Sequence, residues 1–176
     1  MVSIGPYNQI TDFTHMWDKR DIRPPPGYQK PEPSPNNSIY SIINSNPDFT
    51  IFSYIIRVAN MEMFYYNNDY KYTVFVPPDN YLRTRNISER FLIKMDKSTA
   101  IQICNYCTLN NTIKKNVITS NPIVYLTTNN KTSQLLVSNT KHKTMIDEYI
   151  EIIYFDIECD NGVLHVIDGL PLPYLL

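Results

Sequence analysis

The feature that most limits what this chain can fold into is a run of prolines near its start. From Asp21 to Ser38 the sequence reads DIRPPPGYQKPEPSPNNS. Proline has no backbone N–H and fixes its own φ, so neither a helix nor a sheet ladder propagates through such a stretch. It reads as extended and polyproline-like, stiffer than a Gly/Ser linker. The run divides the 176 residues into an arm, residues 1–37, and a domain, residues 38–176. Within the arm, Ile10, Phe13, Met16 and Trp17 fall at helix-like spacing, and Trp17 is the single tryptophan. Large aromatics anchor protein interfaces. The arm is therefore read as a docking segment in which Ile10, Phe13, Met16, Trp17, Pro24, Pro25, Pro26 and Tyr28 meet a protein partner.

The remainder has the composition of a folded domain. Hydrophobic residues make up 43% and charged residues 19% of the chain, enough to build a core. The net charge of -1 gives no basic excess, so nucleic acid is not the expected partner. No apolar run approaches the roughly 18 residues that a spanning helix needs. The first residues lack the basic start and apolar stretch of a secretion signal, and the cysteines Cys104, Cys107 and Cys159 are odd in number. With Met1 as the native start, both points lead to the expectation of a reducing, intracellular setting. The sequons at Asn36, Asn86, Asn110 and Asn130 would matter only outside the cell.

Helical signals come first. Ser38 is a capping residue ahead of Ile39, Ile42 and Ile43. Pro47 opens a second helical stretch in which Phe49, Phe52, Ile55 and Ile56 recur with helical period. A strand is expected over Tyr72–Val76, stopped by Pro77 and Pro78, with a short helix from Pro78. Two more helices are expected, over Ser88–Lys94 and Ser98–Cys107. After Cys107 the pattern changes to short β-branched runs: NTIKKNVI, PIVYLTT, SQLLVSN, YIEIIYFDIE and GVLHVID, each read as a strand. Helices followed by strands make an α+β domain.

Two of these segments carry a resemblance. YTVFVPPDNYL (Tyr72–Leu82) and NGVLHVIDGLPLP (Asn161–Pro173) resemble the two hallmark blocks of fasciclin-like domains. Phe75, Pro77 and Asp79 fit the first block, with Pro78 where Ser or Thr is usual and Leu82 where Phe is usual. Asn161, Gly162, Val163, His165, Val166, Ile167 and Asp168 fit the second. The resemblance spans residues 38–173. It implies a β-sandwich wedge of two sheets flanked by several short helices, and a non-enzymatic interaction module. Where the family often carries a Tyr-His pair linked to adhesion, this chain has Tyr106-Cys107.

The residues themselves offer little for catalysis. On a strand, Val163, His165 and Ile167 share one face and Leu164 and Val166 the other, so His165 belongs to a strand covered on both sides. Its ring nitrogens are expected to satisfy buried neighbours rather than to act as a base, since no nucleophile motif accompanies it. Cys104 and Cys107 have metal-ligand spacing, but a structural zinc needs two further ligands from Cys159, His15, His142 and His165. On a helix the two thiols share a face with Ala100 and Ile103, and core thiols are expected. Glu148, Glu151, Asp156 and Glu158 alternate with apolar residues and read as strand-surface groups, not a calcium loop. No enzyme activity, cofactor, metal or small-molecule substrate is expected.

The expected function is structural: a fasciclin-like domain docking to neighbouring proteins in a larger assembly. Unpaired cysteines, no leader and an Asn/Ile/Tyr/Lys-rich composition of AT-rich character fit a minor capsid protein in the virion of a large DNA virus. The rival reading is an extracellular or cell-surface adhesion module. A small-ligand binder or enzyme would need His165 open to solvent beside an acid.

Overall fold

The computed structural model describes residues 37–85, 87, 89–129, 131 and 133–171. The arm residues Ile10, Phe13, Met16, Trp17, Pro24, Pro25, Pro26 and Tyr28 lie outside the described residues, as do the sequons at Asn36, Asn86 and Asn130.

The helices form where their caps and apolar spacing direct. The Ser38 hydroxyl accepts the Ser41 N–H at 3.1 Å and starts α1 (Ile39–Ser45). Pro47 opens a 3-10 turn (Pro47–Phe49) that leads into α2 (Thr50–Ala59). Every residue of α2 is buried, which makes it the spine of the helical layer. It stops at Asn60, whose left-handed φ of 57° lets its N–H reach the Ile56 and Arg57 carbonyls. Three short helices follow, α3 (Glu62–Tyr66), α4 (Asp79–Thr84) and α5 (Glu89–Ile93). The Asp96 carboxylate caps α6 (Lys97–Tyr106) by accepting the Thr99 N–H at 2.7 Å. α6 packs along α2.

Seven strands form one sheet in the order β2-β1-β7-β6-β5-β4-β3. They are β1 (Tyr72–Val76), β2 (Thr108–Leu109), β3 (Ile123–Thr127), β4 (Gln134–Asn139), β5 (Thr144–Ile146), β6 (Ile150–Cys159) and β7 (Gly162–Ile167). β1 and β7 pair in parallel, and every other neighbouring pair is antiparallel. The resemblance implied two separate sheets. The structure has one mixed sheet, because β6 belongs to both halves. Its first residues pair with β5 and the rest with β7, with register shifts between Ile152 and Tyr154 and between Tyr154 and Ile157. Asp156 lies within the second shift at a φ of 63°. Such bulges bend and twist a strand. The bend carries the β3 edge back toward β2, where the Asn129 N–H donates to the Thr108 carbonyl at 2.7 Å. The sheet is thus nearly barrel-shaped.

Two apolar layers result. Val74, Val76, Leu164 and Val166 face the helices and pack with Phe52, Ile55, Ile103 and Cys104. Phe75 and Ile167, on the other face of the same strands, pack with Leu126, Leu135, Val137, Ile146 and Ile150. This explains why β1 and β7 are buried along their whole length.

One expected strand is a helix. In NTIKKNVI, residues Lys115–Ile118 form α7. Its β-branched residues favour a strand locally, but the Asp156 carboxylate accepts the Lys115 N–H at 2.9 Å and holds the first turn. A tertiary contact overrides the local preference.

Candidate interaction surface

Asp79, Asn161 and His165 of the two hallmark blocks are buried at separate places inside the domain. His165 is buried in the middle of β7, between the rings of Phe75 and Phe155. Its Nδ1 accepts the Asp156 N–H at 3.0 Å, so that nitrogen carries no proton. Its Nε2–H therefore donates to the Ile113 carbonyl at 2.7 Å. Burial holds its pKa below the ordinary histidine value; the Ile113 bond and the nearby Asp156 carboxylate oppose this only in part. The imidazole is neutral, and both nitrogens are occupied. It ties β7 to the β6 bulge and to the loop before α7. Lysine and acid partners nearby do not change this: Lys114 pairs with Glu158 at 2.6 Å on the exposed side.

Asn161 is equally committed. Its side-chain oxygen accepts the Ile39 N–H at 2.8 Å, and its amide donates to the carbonyls of Tyr65 at 2.7 Å and Asn67 at 3.0 Å. One buried side chain thus joins the start of α1, the end of α3 and the turn into β7. Gly162 follows with a φ of 146°, and a Cβ there would sit 1.8 Å from the Tyr72 carbonyl oxygen. Only glycine fits. Asp79 accepts the Thr50 hydroxyl and, at 2.9 Å, the Ile51 N–H, so it caps α2 from the start of α4. Burial pushes its pKa up to about 6, against the lowering effect of these hydrogen bonds. Asp168 accepts the Glu151 N–H at 2.8 Å and meets Arg85 at 3.2 Å. Pro77 is buried at the end of β1, where it stops the ladder.

Cys104 and Cys107 are buried and free. Burial pushes Cys104 up to about 12 and Cys107 well above the usual thiol value, so neither is a thiolate at neutral pH. Among the described residues, no three metal-ligating side chains gather. Cys107 is fully buried in the core rather than open to solvent. Its neighbour Tyr106 donates its hydroxyl to Asp147 at 3.2 Å. Of the acidic residues on β6, Glu151 and Glu158 are strand-surface groups. Asp156 is not a simple surface group, because its carboxylate caps α7 and its N–H serves His165.

The outside of the sheet is where side chains remain available. Ile123 and Tyr125 on β3 are 57% and 63% exposed, and Ile153 and Tyr154 on β6 are also open to solvent. Beside β3 runs a groove of about 530 Å³, lined on one side by Tyr125, Leu126 and Thr127 and on the other by Leu109, Asn110 and Ile113. Sequence reasoning found β3 as a strand but not its place at a sheet edge. Edge position is set by long-range pairing, and the only local trace is the lack of any charge in IVYLT.

A fasciclin domain model matches residues 47–173, most of the chain. The chain belongs to the fasciclin domain family. Among solved structures, it is similar to a fasciclin domain pair from the insect cell adhesion molecule fasciclin I, with a TM-score of 0.67 and 18% sequence identity. That match covers 78% of this chain and 51% of the other, so this chain spans about half the length of the pair. At this identity the likeness concerns the fold. No curated protein matches the sequence significantly. In fasciclin terms, the Asn-Gly turn, the strand histidine and the strand-ending proline all serve the scaffold here. None of the described helices is long and apolar enough to cross a membrane.

Proposed function

We propose that the chain is a non-enzymatic fasciclin module that docks to other proteins in a larger assembly. One observation carries the reading: Asp79, Asn161, His165 and Asp168 of the hallmark blocks are engaged in hydrogen bonds within the domain, while Ile123, Tyr125, Ile153 and Tyr154 expose apolar surface on the outside of the sheet. A catalytic base must reach a substrate proton, and His165 can reach only Asp156 and Ile113. The arm is the proposed second contact. Its prolines pre-order it and so lower the entropic cost of docking. Deleting residues 1–37 tests this. The expected result is a domain with an unchanged far-ultraviolet spectrum that no longer enters its complexes; unchanged incorporation eliminates the arm. Placement in a virus particle is the reading that the unpaired cysteines, the lack of a secretion signal in the first residues and the AT-rich character of the composition support.

A second reading, adhesion at a cell surface, is favoured by the likeness to the insect adhesion molecule's domain pair. It predicts a glycan on Asn110, which is exposed. A peptide map of the protein from its native source with Asn110 unmodified would count against it.

A further inference from the structure

The groove beside β3 is bounded by the two ends of the same sheet. In an antiparallel ladder, alternate residues direct both N–H and C=O to one side. The Thr128 N–H donates to Ser133 and the Pro122 carbonyl accepts from Asn139, and the register between them is unbroken. Even-numbered residues of β3 therefore bond β4. Ile123, Tyr125 and Thr127 direct their N–H and C=O groups away from it, Tyr125 and Thr127 into the groove and Ile123 on the same edge beyond it, and have no backbone partner among the described residues. The next residue in that series, Asn129, already bonds Thr108 of β2. The groove is thus a wedge, closed at Asn129 and open along Ile123–Thr127.

Exposed edges are normally blunted by charge, proline or a bulge. Ile123–Thr127 has none of these. The wedge also discriminates between occupants. A second copy pairing through its own β3 would bring β4 with it, and the β2 wall stands in that place. A single extended segment has no such companion. The floor is apolar, from Leu109, Ile113 and Leu126, and among the described residues the one charged residue lining the groove is Lys131. Charge complementarity then calls for an acid.

We propose that the groove between β3 and β2 takes an extended, acid-bearing peptide segment of a partner protein, added as a strand to the open edge of β3. The proposal rests on the reading of the chain as an interaction module and names one of its surfaces. Main-chain bonds to Ile123, Tyr125 and Thr127 supply affinity, and alternate side chains facing Leu109 and Leu126 supply selectivity.

The probe is a phage-displayed library of random linear heptapeptides, selected against the full chain. Selected peptides should alternate β-branched or aromatic residues and carry one Asp or Glu. On binding, amide exchange should slow at Ile123, Tyr125 and Thr127. Thr127→Pro removes an N–H that points into the groove and leaves the β4 ladder intact, since an edge strand accepts proline at such a position. It should weaken binding by about ten-fold or more. Lys131→Glu, at an exposed site that should not disturb folding, should select peptides with Lys or Arg in place of the acid. Peptides that bind wild type and both variants equally overturn the proposal, and so does a selection that returns no binder. Either failure leaves the module reading to its own test, the deletion of residues 1–37.

Discussion

Replacing Asn161 is the most direct test of how this domain is held together. Asn161→Ala removes one acceptor and two donors from a site closed to water. A typical internal hydrogen bond contributes about 1 kcal/mol net, and each partner stranded without water costs about 1–3 kcal/mol. The Ile39 N–H and the Tyr65 carbonyl are the groups stranded most deeply. The sum is about 3–5 kcal/mol, a large share of the roughly 5–15 kcal/mol that holds a domain of this size. The backbone carbonyl of residue 161 keeps its bond from the Tyr72 N–H, so the turn itself should persist. Urea titration followed by circular dichroism reads the loss as a lower midpoint with an unchanged slope. Asn161→Asp sharpens the test, because it is nearly isosteric yet turns a carboxylate oxygen toward two carbonyls. It should be at least as destabilising as alanine at neutral pH and should recover part of the loss in acid. An alanine variant within about 1 kcal/mol of wild type, or a fully stable aspartate variant, would refute this account of the site.

Gly162→Ala should cost about 3 kcal/mol or more, since its Cβ would overlap the Tyr72 carbonyl and the φ is wrong for alanine; loss of the folded spectrum at 25 °C is the expected readout. Asp79 should shape the pH profile. Its folded pKa of about 6 lies above the ordinary 3.8, so the folded state holds the proton more tightly, and this group adds stability as pH falls from about 7 toward 4, by ~3 kcal/mol in all. His165 acts oppositely. Its folded pKa is depressed below 6.5, so proton uptake by the unfolded chain erodes stability as pH falls below that value. Asp79→Asn should therefore leave a profile that only declines with acid across this window, measured by denaturant midpoints from pH 7 to 4; a profile unchanged from wild type would show that Asp79 does not titrate in this way. In the β5–β6 turn, Asp147 and Glu148 both have positive φ, at 50° and 69°. Glu148→Gly should raise stability by about 0.5–1 kcal/mol in the same titration, whereas no gain would mean that this turn is unstrained.

How far the sequence disclosed the fold depends on the range of the deciding interaction. The buried helix over Thr50–Ala59 was legible because Phe52, Ile55 and Ile56 repeat at helical period. The strand over Gly162–Ile167 was legible because both its faces are apolar, and the buried His165 followed from the same pattern. Ser38 and Asn161-Gly162 were legible as a cap and a turn. That Asn161 also serves Ile39, Tyr65 and Asn67 was not, since those partners lie about a hundred residues away in sequence. α7 was misread because Val117 and Ile118 suggest a strand, and the acid that caps it comes from β6. The single sheet was missed for a related reason. Its bend lies at Asp156, where no glycine marks the change of direction. The groove combines both difficulties: each wall is a short, ordinary stretch, and only closure of the sheet brings β2 opposite β3.

The parallel pairing of β1 with β7 has a consequence for how the polypeptide is made. Tyr72 meets Gly162 and Val76 meets Val166, so the middle of the molecule joins segments synthesised far apart in time. A chain emerging from the ribosome can assemble its helices early, but the flank of β1 that pairs with β7 must stay unsatisfied until Gly162–Ile167 has been synthesised. Such distant closure is slow compared with local contacts. The nascent protein is most vulnerable to misassembly during that wait, and a chain without β7 would leave β1 and β6 with no strand between them.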